Sequence, residues 1–312
     1  MPSVSRSRRS PAVLPSLRDR LPLGREGLEV SPVCLGMVCE PHVVTEAFLR
    51  GVNFFFVSAD MHWPMYEQTR RGLADLFRDH PSARDAVVVA SVSYVAQTEF
   101  AVAPFLEVIA AVPGLCRLDV TIVGGAKRQD LARLETFGLH RTSRKVPDVR
   151  ATGVTFHDRR AAAEWLAREE LDVAFVRYNA NHCGAERDLF PSVGEDARPL
   201  VFNFKSTAGH VPAHRVAALG LDVTAWQPDI SDQYRFVLGR HELDGVLCAP
   251  RTMVELDALT RALEAGPLTG DEAAYLRDLA ALDRGRGGTP RAPSSRAARD
   301  DYARHGSREI LD

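Results

Sequence analysis

Short apolar runs alternate along the chain with longer segments in which apolar residues recur every three to four positions. An unbroken apolar run is typical of a strand buried on both faces, and the longer spacing is typical of a helix packed along one side. Strands are predicted at 33–35, 54–57, 86–91, 118–123, 151–154, 173–177, 200–204 and 245–247. Helices are predicted at 43–50, 66–79, 104–112, 129–139, 160–169, 231–238 and 253–264.

Eight strands that alternate with helices are the number that closes a parallel barrel with right-handed crossovers. We therefore predict the α/β fold class and, within it, a (β/α)8 TIM barrel. The alternative, an open doubly wound sheet, would require a glycine-rich phosphate loop after an early strand. The sequence contains no such loop.

One barrel domain is predicted at 21–283, between two tails. The tail at 1–20 is rich in Arg, Ser and Pro and is predicted to be disordered. The tail at 284–312 is rich in Gly, Pro, Arg and Ser and is predicted to be flexible. The domain begins with two short alternating segments joined between Gly24 and Gly27, which predict a β-hairpin ahead of the first barrel strand.

Composition excludes several classes of partner. The 312 residues are 45% hydrophobic and 26% charged, which is ordinary for a globular protein, and the net charge of -2 indicates neither nucleic acid nor an anionic membrane as a partner. The chain has no apolar run of about 18 residues and no apolar leader core, so we expect a cytoplasmic protein. Its five scattered cysteines are interpreted as free thiols. The preference for Arg over Lys suggests a bacterial genome rich in G and C.

The stretch at 51–65 carries the strongest indication of a site. Its strand ends near Val57, and polar groups follow at Asp60 and His62, with Trp63 next to them. Side chains that follow a barrel strand emerge at the face where TIM-barrel enzymes place their chemistry. His62 is predicted to be an acid/base with Asp60 fixing its tautomer, and Trp63 is predicted to contact substrate. The alternative is that His62 only packs in its loop.

Several segments resemble the aldo-keto reductase family. The sequence of residues 53–60 is similar to the family's N-F-F-D-T-A-D motif. Residues 21–38 resemble the family's N-terminal motif L-G-x-T-G-L-x-V-S. Further similarity lies at 151–156, 171–179, 182–186 and 244–252. The resemblance implies an aldo-keto reductase-like barrel whose N-terminal hairpin plugs the barrel floor.

In that family an Asp, a Tyr, a Lys and a His carry out hydride transfer, and the Tyr protonates the carbonyl. At the matching positions this chain has Val57 (or Phe56 with a one-residue shift), His62, Val92 and Gly124. The comparison implies that the catalytic tetrad has been lost and that the ordinary reductase mechanism cannot operate.

The resemblance also marks positions for a nicotinamide cofactor. Phe204 lies where the family stacks a ring on the nicotinamide, and Ser206, Arg251, Thr252 and Glu255 lie at its other cofactor positions. The family's amide anchors are replaced by Thr155–Phe156 and Phe175, so binding of NADP(H) is doubtful. An equal alternative is that Arg251 only pairs with Glu255 one helical turn later.

Other polar residues follow predicted strands. Lys205 is predicted to bind a phosphate or carboxylate, with Schiff-base chemistry as the weaker alternative. His157, Asn179 and His182 are predicted to contact substrate, although the last two also match family positions that serve loop structure. No metal is expected, because the pair of histidines at 210 and 214 lacks a third ligand.

Three functions fit these residues. The first is a repurposed enzyme that performs elimination, isomerisation or cyclisation on a small polar metabolite. The second is a divergent NADPH-dependent carbonyl or imine reductase with His62 as its proton donor. The third is a non-catalytic ligand sensor or scaffold, in which His62, Asp60 and Lys205 would not meet in one cavity. The oligomeric state does not follow from the sequence.

Overall fold

A computed structural model describes residues 13–24, 27–95, 100–126, 146, 148–167, 171–194, 198–221 and 226–285. The helix expected at 129–139 and most of both expected tails lie outside these residues. The described strands are β1 Leu21–Leu23, β2 Leu28–Val30, β3 Val33–Leu35, β4 Phe54–Ser58, β5 Val88–Ser93, β6 Val120–Ala126, β7 Ala151–Phe156, β8 Val173–Arg177, β9 Leu200–Phe204 and β10 Gly245–Cys248. The described helices are α1 His42–Leu49, α2 Glu67–Asp79, α3 Ala83–Ala86, α4 Ala103–Ala111, α5 Arg159–Leu166, α6 Ala185–Asp188, α7 Ala213–Ala218, α8 Ile230–Leu238, α9 Met253–Glu264 and α10 Gly270–Asp283.

Eight parallel strands, β3 to β10, form a closed barrel in chain order, and β10 pairs with β3 to close it. The predicted (β/α)8 barrel is therefore confirmed. Strands β1 and β2 form the separate antiparallel hairpin that the alternating pattern predicted. In the described part of the chain, no helix has the length and apolar character needed to cross a membrane.

Aromatic rings fill the barrel interior. Phe54 on β4 contacts Phe202 on β9 with ring centroids 5.4 Å apart, and Phe56 contacts Phe175 on β8 at 5.3 Å. Strand β4 is not a neighbour of β8 or β9 in the sheet, so these rings meet across the inside of the barrel. Burying such a ring stabilises the fold by roughly 1.5–3 kcal/mol. The unbroken apolar run of β4 is thus explained by burial on both faces.

The hairpin covers the amino ends of the strands. The Asn53 side chain accepts a hydrogen bond from the Ser31 amide at 2.7 Å and donates one to the Glu29 carbonyl at 2.8 Å, which ties the start of β4 to β2. Leu14 and Leu17 pack into the same core with 6% of each side chain exposed. Ordered packing therefore begins before position 21, inside the segment expected to be a disordered tail.

Strands β5, β6 and β7 each end at least two residues later than the sequence pattern indicated, and β7 ends at Phe156 instead of 154. Strand β5 starts and ends two residues later than 86–91, and β6 reaches Ala126 instead of ending at 123. Small and polar residues end both strands, so the apolar run stops before the backbone pairing does. The shift brings Ser93 and Tyr94 to the mouth of the barrel.

Candidate active site

A cavity of about 840 Å³ opens at the carboxyl ends of the barrel strands. Its walls come from the segments that follow β3, β4, β5, β9 and β10, from the end of β7 and from the start of α8. Among the lining residues with polar or aromatic side chains are Cys39, His62, Tyr66, Tyr94, Thr155, His157, Phe204, Lys205, Ser206, Ser231, Tyr234, Arg251 and Glu255. This is the face where a TIM barrel gathers side chains from several strands.

The cavity brings together most of the residues that the sequence singled out. His62, His157, Phe204, Lys205, Ser206, Arg251 and Glu255 all line it. Asp60, Trp63, Asn179, His182 and Thr252 are not among its lining residues. The sensor or scaffold alternative requires that His62, Asp60 and Lys205 do not meet in one cavity. His62 and Lys205 do line the same cavity, whereas Asp60 does not line it.

Asp60 is directed toward the end of β5. Its carboxylate accepts hydrogen bonds from the Ser93 hydroxyl at 2.6 Å, from the Tyr94 amide at 2.8 Å and from the Met61 amide at 2.5 Å. These bonds occupy both carboxylate oxygens. Asp60 therefore holds the start of the β5 loop, and this geometry does not support the expectation that it fixes the tautomer of His62.

Trp63 lies on another surface. It begins the 3-10 turn Trp63–Tyr66 and lines a groove beside α2, where the Arg70 guanidinium stacks 3.5 Å from its ring centroid. Arg70 also donates a hydrogen bond to the Trp63 carbonyl at 2.6 Å. The geometry thus favours a packing role for Trp63 over the expected substrate contact.

Tyr94 is one of the cavity residues that the sequence did not reveal, together with Cys39, Tyr66, Ser231 and Tyr234. Its ring lies edge-to-face against His62 with centroids 5.1 Å apart. The Tyr94 hydroxyl is within hydrogen-bonding reach of Thr155 at the end of β7. Burial raises the pKa of Tyr94, the nearby charge of Asp60 raises it further, and the Thr155 hydroxyl partly opposes the rise. The phenol is therefore protonated at neutral pH and can donate a hydrogen bond. The sequence did offer an indication of this role, because Tyr94 directly follows a strand that ends in the small residue Ser93.

Lys205 follows β9 in a left-handed backbone conformation, with φ of 58° and ψ of 36°. Such a conformation is unfavourable for a residue with a Cβ and persists only where the surroundings hold it. Asn179 supplies this hold, because its side-chain amide donates to the Lys205 carbonyl at 2.8 Å. The same carbonyl accepts a hydrogen bond from the Ala208 amide at 3.2 Å. The strained backbone directs the Lys205 side chain to the rim of the cavity.

Asn179 is fully buried. Its side-chain oxygen accepts the Asn181 amide at 3.1 Å and lies 3.2 Å from the His182 ring nitrogen. Together with its bond to Lys205, this uses the polar groups of Asn179 to tie the β8 loop to the β9 loop. The geometry therefore favours a structural role for Asn179 and His182 over the predicted substrate contacts.

The residues expected to hold a cofactor phosphate are bound to one another. Arg251 donates to Glu255 from Nε at 3.0 Å, from Nη2 at 2.7 Å and from its backbone amide at 2.8 Å. The hydrogen bonds that Arg251 donates to the Glu255 carboxylate raise the pKa of Arg251. Thr252 caps α9 by accepting the Glu255 amide. The alternative of an internal Arg–Glu pair is therefore the arrangement that the structure shows.

Two more expected cofactor residues have protein partners. The Phe204 ring packs edge-to-face with His157, with centroids 5.3 Å apart and planes at 85°. The Ser206 hydroxyl donates to the Asn203 side chain at 2.5 Å, and only 2% of Ser206 is exposed. Among the described residues, no group of three or more His, Cys, Asp or Glu side chains could hold a metal ion.

Solved structures of similar fold are aldo-keto reductases. The holo form of one from Bacillus halodurans matches with a TM-score of 0.65 at 14% sequence identity, covering 84% of this chain and 96% of that chain. One from Bombyx mori in complex with NADP matches with a TM-score of 0.59 at 15% identity, covering 84% and 92%. A Pseudomonas aeruginosa protein described as an aldo-keto reductase matches with a TM-score of 0.58 at 19% identity, covering 80% and 97%. No family model and no curated protein matches the sequence.

The matches cover nearly the whole length of those structures, and this chain has eight parallel strands in a closed barrel. At such low identities the likeness establishes architecture. The chain therefore has the eight-stranded barrel fold of the aldo-keto reductases, preceded by an N-terminal hairpin.

Proposed function

We propose that this protein is an enzyme with an aldo-keto reductase fold that performs proton-transfer chemistry without hydride transfer, on a small polar metabolite in the cytoplasm. Elimination, isomerisation and cyclisation are reactions of this kind. The observation that carries the proposal is the convergence of two imidazoles and an ammonium group, from His62, His157 and Lys205, on one cavity at the barrel mouth. Ionisable groups in a cavity cost stability unless binding or catalysis uses them.

His62 is the proposed acid/base. An imidazole changes its protonation near neutral pH, so one side chain can both accept and return a proton. Lys205 is the proposed anion-binding group, because its ammonium makes no ion pair with any residue that the structure describes. Phe56, Tyr66 and Leu247 contribute apolar surface to the wall of the same cavity.

The residues present do not fit a nicotinamide cofactor well. Gripping a 2′-phosphate would require Arg251 to give up its fork of bonds to Glu255. Phe175, at a position matched to an amide anchor, is fully buried among the rings of the barrel interior. The matches to the family's catalytic Asp and Lys, Val57 and Val92, are buried and apolar. These features support chemistry that needs no NADP(H).

A second candidate is the divergent NADPH-dependent carbonyl or imine reductase with His62 as proton donor. Phe204 and Arg251 favour it, because both line the same cavity as His62. The Bombyx mori relative is described as a complex with NADP, and it shares the fold. In this alternative the exposed guanidinium of Arg251 would exchange Glu255 for a phosphate.

Proton transfer at carbon can be tested before the substrate is known. We expect the protein, incubated in deuterated water with a panel of carbonyl and carboxylate metabolites, to speed deuterium incorporation into at least one of them, as read by mass spectrometry. His62→Ala should reduce that rate by about 100-fold or more, the usual contribution of a general acid/base. His80→Ala removes an exposed histidine at the end of α2 and should leave the rate unchanged. If His62→Ala incorporated deuterium at the wild-type rate, the assignment of His62 as the acid/base would be wrong.

A further inference from the structure

We propose that Tyr94 is a second catalytic group of this cavity, donating a hydrogen bond to the oxygen of an enolisable carbonyl substrate while His62 moves the carbon-bound proton. The inference rests on the proposed function and names both an additional residue and a substrate class. It comes from four features of the structure that together position one phenol.

The backbone of Tyr94 is anchored from a neighbouring strand. Asp60 accepts the Tyr94 amide at 2.8 Å and the Ser93 hydroxyl at 2.6 Å. Ser93 in turn accepts the Val95 amide at 3.2 Å. A carboxylate that accepts several hydrogen bonds fixes the direction in which the next side chain leaves the strand. Asp60, in the loop after β4, thus orients the backbone from which the Tyr94 side chain extends.

Two glycines make room for the Tyr94 ring. A Cβ at Gly124 would lie 2.6 Å from ring carbons of Tyr94, closer than real contacts allow, and a Cβ at Gly125 would lie 3.4 Å away. The backbone of β6 shifts register between Val123 and Ala126, at this pair of glycines. Strand β6 therefore has glycines, which lack a side chain, at the positions that the Tyr94 ring packs against. Position 124 is also the one at which the family pattern has a histidine.

The hydroxyl and one edge of the ring meet polar groups. Thr155, which lies within hydrogen-bonding reach of the phenol, is itself held by the Gly125 amide at 2.7 Å. The imidazole of His62 lies against the Tyr94 ring at a centroid distance of 5.1 Å. Tyr94, Thr155 and His62 all line the cavity. A phenol and an imidazole are thus presented side by side to anything bound there.

The residues that line the cavity suit a carbonyl compound that develops negative charge on its oxygen. Among the described lining residues the one carboxylate is Glu255, and its charge is countered by Arg251. Lys205 adds a positive charge at the rim. The Asp60 carboxylate near Tyr94 disfavours negative charge there, so stabilisation of a developing enolate oxygen rests on the Lys205 ammonium and on the positioned Tyr94 hydroxyl. Aromatic walls at Phe56 and Phe204 favour a flat, unsaturated body.

The proposed reaction conserves protons and electrons, because His62 returns the proton that it removes. His62 takes a proton from the carbon next to the carbonyl, and the electron pair of that C–H bond forms a carbon–carbon double bond. The carbonyl π pair moves onto oxygen, which Tyr94 holds by its O–H. Where a carbon–carbon double bond adjoins the carbon that loses the proton, the intermediate is a dienolate. His62 then returns the proton to the far carbon of that dienolate, the double bond moves next to the carbonyl, and the carbonyl re-forms. The outcome is isomerisation, which consumes no oxidant, reductant or further reactant.

Phenols are suitable probes, since a bound phenolate oxygen resembles an enolate oxygen. We expect the wild-type protein to bind a series of ring-substituted phenols, measured by calorimetry and by the absorbance of the phenolate. Tyr94→Phe should weaken binding about tenfold or more, the effect of one lost hydrogen bond to a charged group. Tyr178→Phe is the matched control, because Tyr178 is buried outside the lining residues of this cavity and donates its hydroxyl to Glu186 at 2.6 Å.

Gly124→Ala tests the position of the phenol without removing it. The added methyl group should displace the Tyr94 ring and weaken phenol binding to a similar extent, whereas Gly194→Ala, where a Cβ meets no atom within 4 Å, should not. In the wild-type protein, tyrosine labelled with carbon-13 at the hydroxyl-bearing carbon should show a shift of the Tyr94 signal on phenol binding, a readout that requires no variant to fold.

The outcomes separate the inference from the proposed function. Equal phenol affinity in the wild type, Tyr94→Phe and Gly124→Ala, or no phenol binding by the wild type, would overturn the role of Tyr94. Neither result touches deuterium exchange by His62. Loss of affinity in both variants, with Tyr178→Phe and Gly194→Ala unchanged, would support it even if the exchange assay failed.

Discussion

The carboxylate of Asp119 shows how one buried residue can hold several segments at the base of the barrel. It is fully buried and accepts hydrogen bonds from Arg84 at 3.0 Å, from Arg150 at 2.8 Å and from the Val89 amide at 2.9 Å. Arg84 is itself almost completely buried and also donates to the Leu115 carbonyl at 2.5 Å. Removing the carboxylate would leave a buried guanidinium without its countercharge.

We expect Asp119→Ala to lower the free energy of unfolding by on the order of 3–5 kcal/mol, the usual cost of breaking a buried ion pair on one side. Urea denaturation followed by circular dichroism measures the change. Asp85→Ala is the control, because its side chain is 86% exposed and contacts only the edge of the same cluster, through Arg117 at 3.4 Å. A loss below about 1 kcal/mol for Asp119→Ala would show that the cluster contributes little.

Residues differ in how far the sequence reveals their task. His62 and Lys205 could be placed at the barrel mouth because both follow an apolar strand. Asp60 and Asn179 follow strands too, yet they bind backbone groups of neighbouring loops, which sequence position alone does not reveal. Tyr94 was missed because it depends on space left by Gly124, a residue that is distant in sequence and adjacent only in the barrel.

At the scale of single elements, α10 illustrates how a helix start is specified. Thr269 accepts the Glu272 amide at 3.2 Å, and the Glu272 carboxylate accepts the Thr269 amide at 2.8 Å. This reciprocal pair forms a capping box, which satisfies two amides that the helix itself cannot. Four apolar residues of the helix, Tyr275, Leu276, Leu279 and Ala280, are buried and fix it to the core.

Replacing Thr269 by Ala should lower the free energy of unfolding by about 1 kcal/mol, because one helix-capping hydrogen bond is lost. Chemical denaturation of both proteins provides the comparison. Ser82→Ala is a matched change, since Ser82 precedes α3 without making a side-chain cap, and it should have little effect. Equal stabilities of Thr269→Ala and Ser82→Ala would contradict the capping role.

Element types were easier to predict than element ends. Strands β3, β4, β8 and β10 have no polar residue before their last position, because a parallel strand buried on both faces needs apolar side chains. The glycine-containing end of β6 and the serines of β5 carry no such pattern, so both ends were set too early. Helix α10 was not predicted, although its Thr269–Glu272 capping pair is visible in the sequence.

For the whole molecule, buried acids link stability to alkaline pH. Burial raises the pKa of the Cys248 thiol from 9.0 to about 12, and burial together with the nearby Cys248 raises the pKa of Cys34 well above 9.0. Burial also raises the pKa values of Tyr66 and Tyr234. A raised pKa means that the folded state holds its protons more tightly than the unfolded state does.

The stabilising contribution of these groups is therefore complete below pH 9.0, the ordinary thiol value, and is lost as pH rises through the folded values. We expect the free energy of unfolding in urea to be lower at about pH 10 than at neutral pH. Replacing Cys34 and Cys248 by Ala should reduce this drop, while Cys116→Ala, which removes an exposed thiol, should preserve it. A flat stability profile up to about pH 10 would contradict the linkage.

The central claim for the whole molecule is that its barrel mouth transfers protons without a nicotinamide. Titration of the purified protein with NADPH, followed by cofactor fluorescence and calorimetry, tests this most directly. We expect no saturable binding up to millimolar NADPH, because Arg251 remains bound to Glu255 and the barrel interior offers no amide anchor at Phe175. Saturable binding that is abolished by Arg251→Ala would contradict the claim and would favour the divergent reductase.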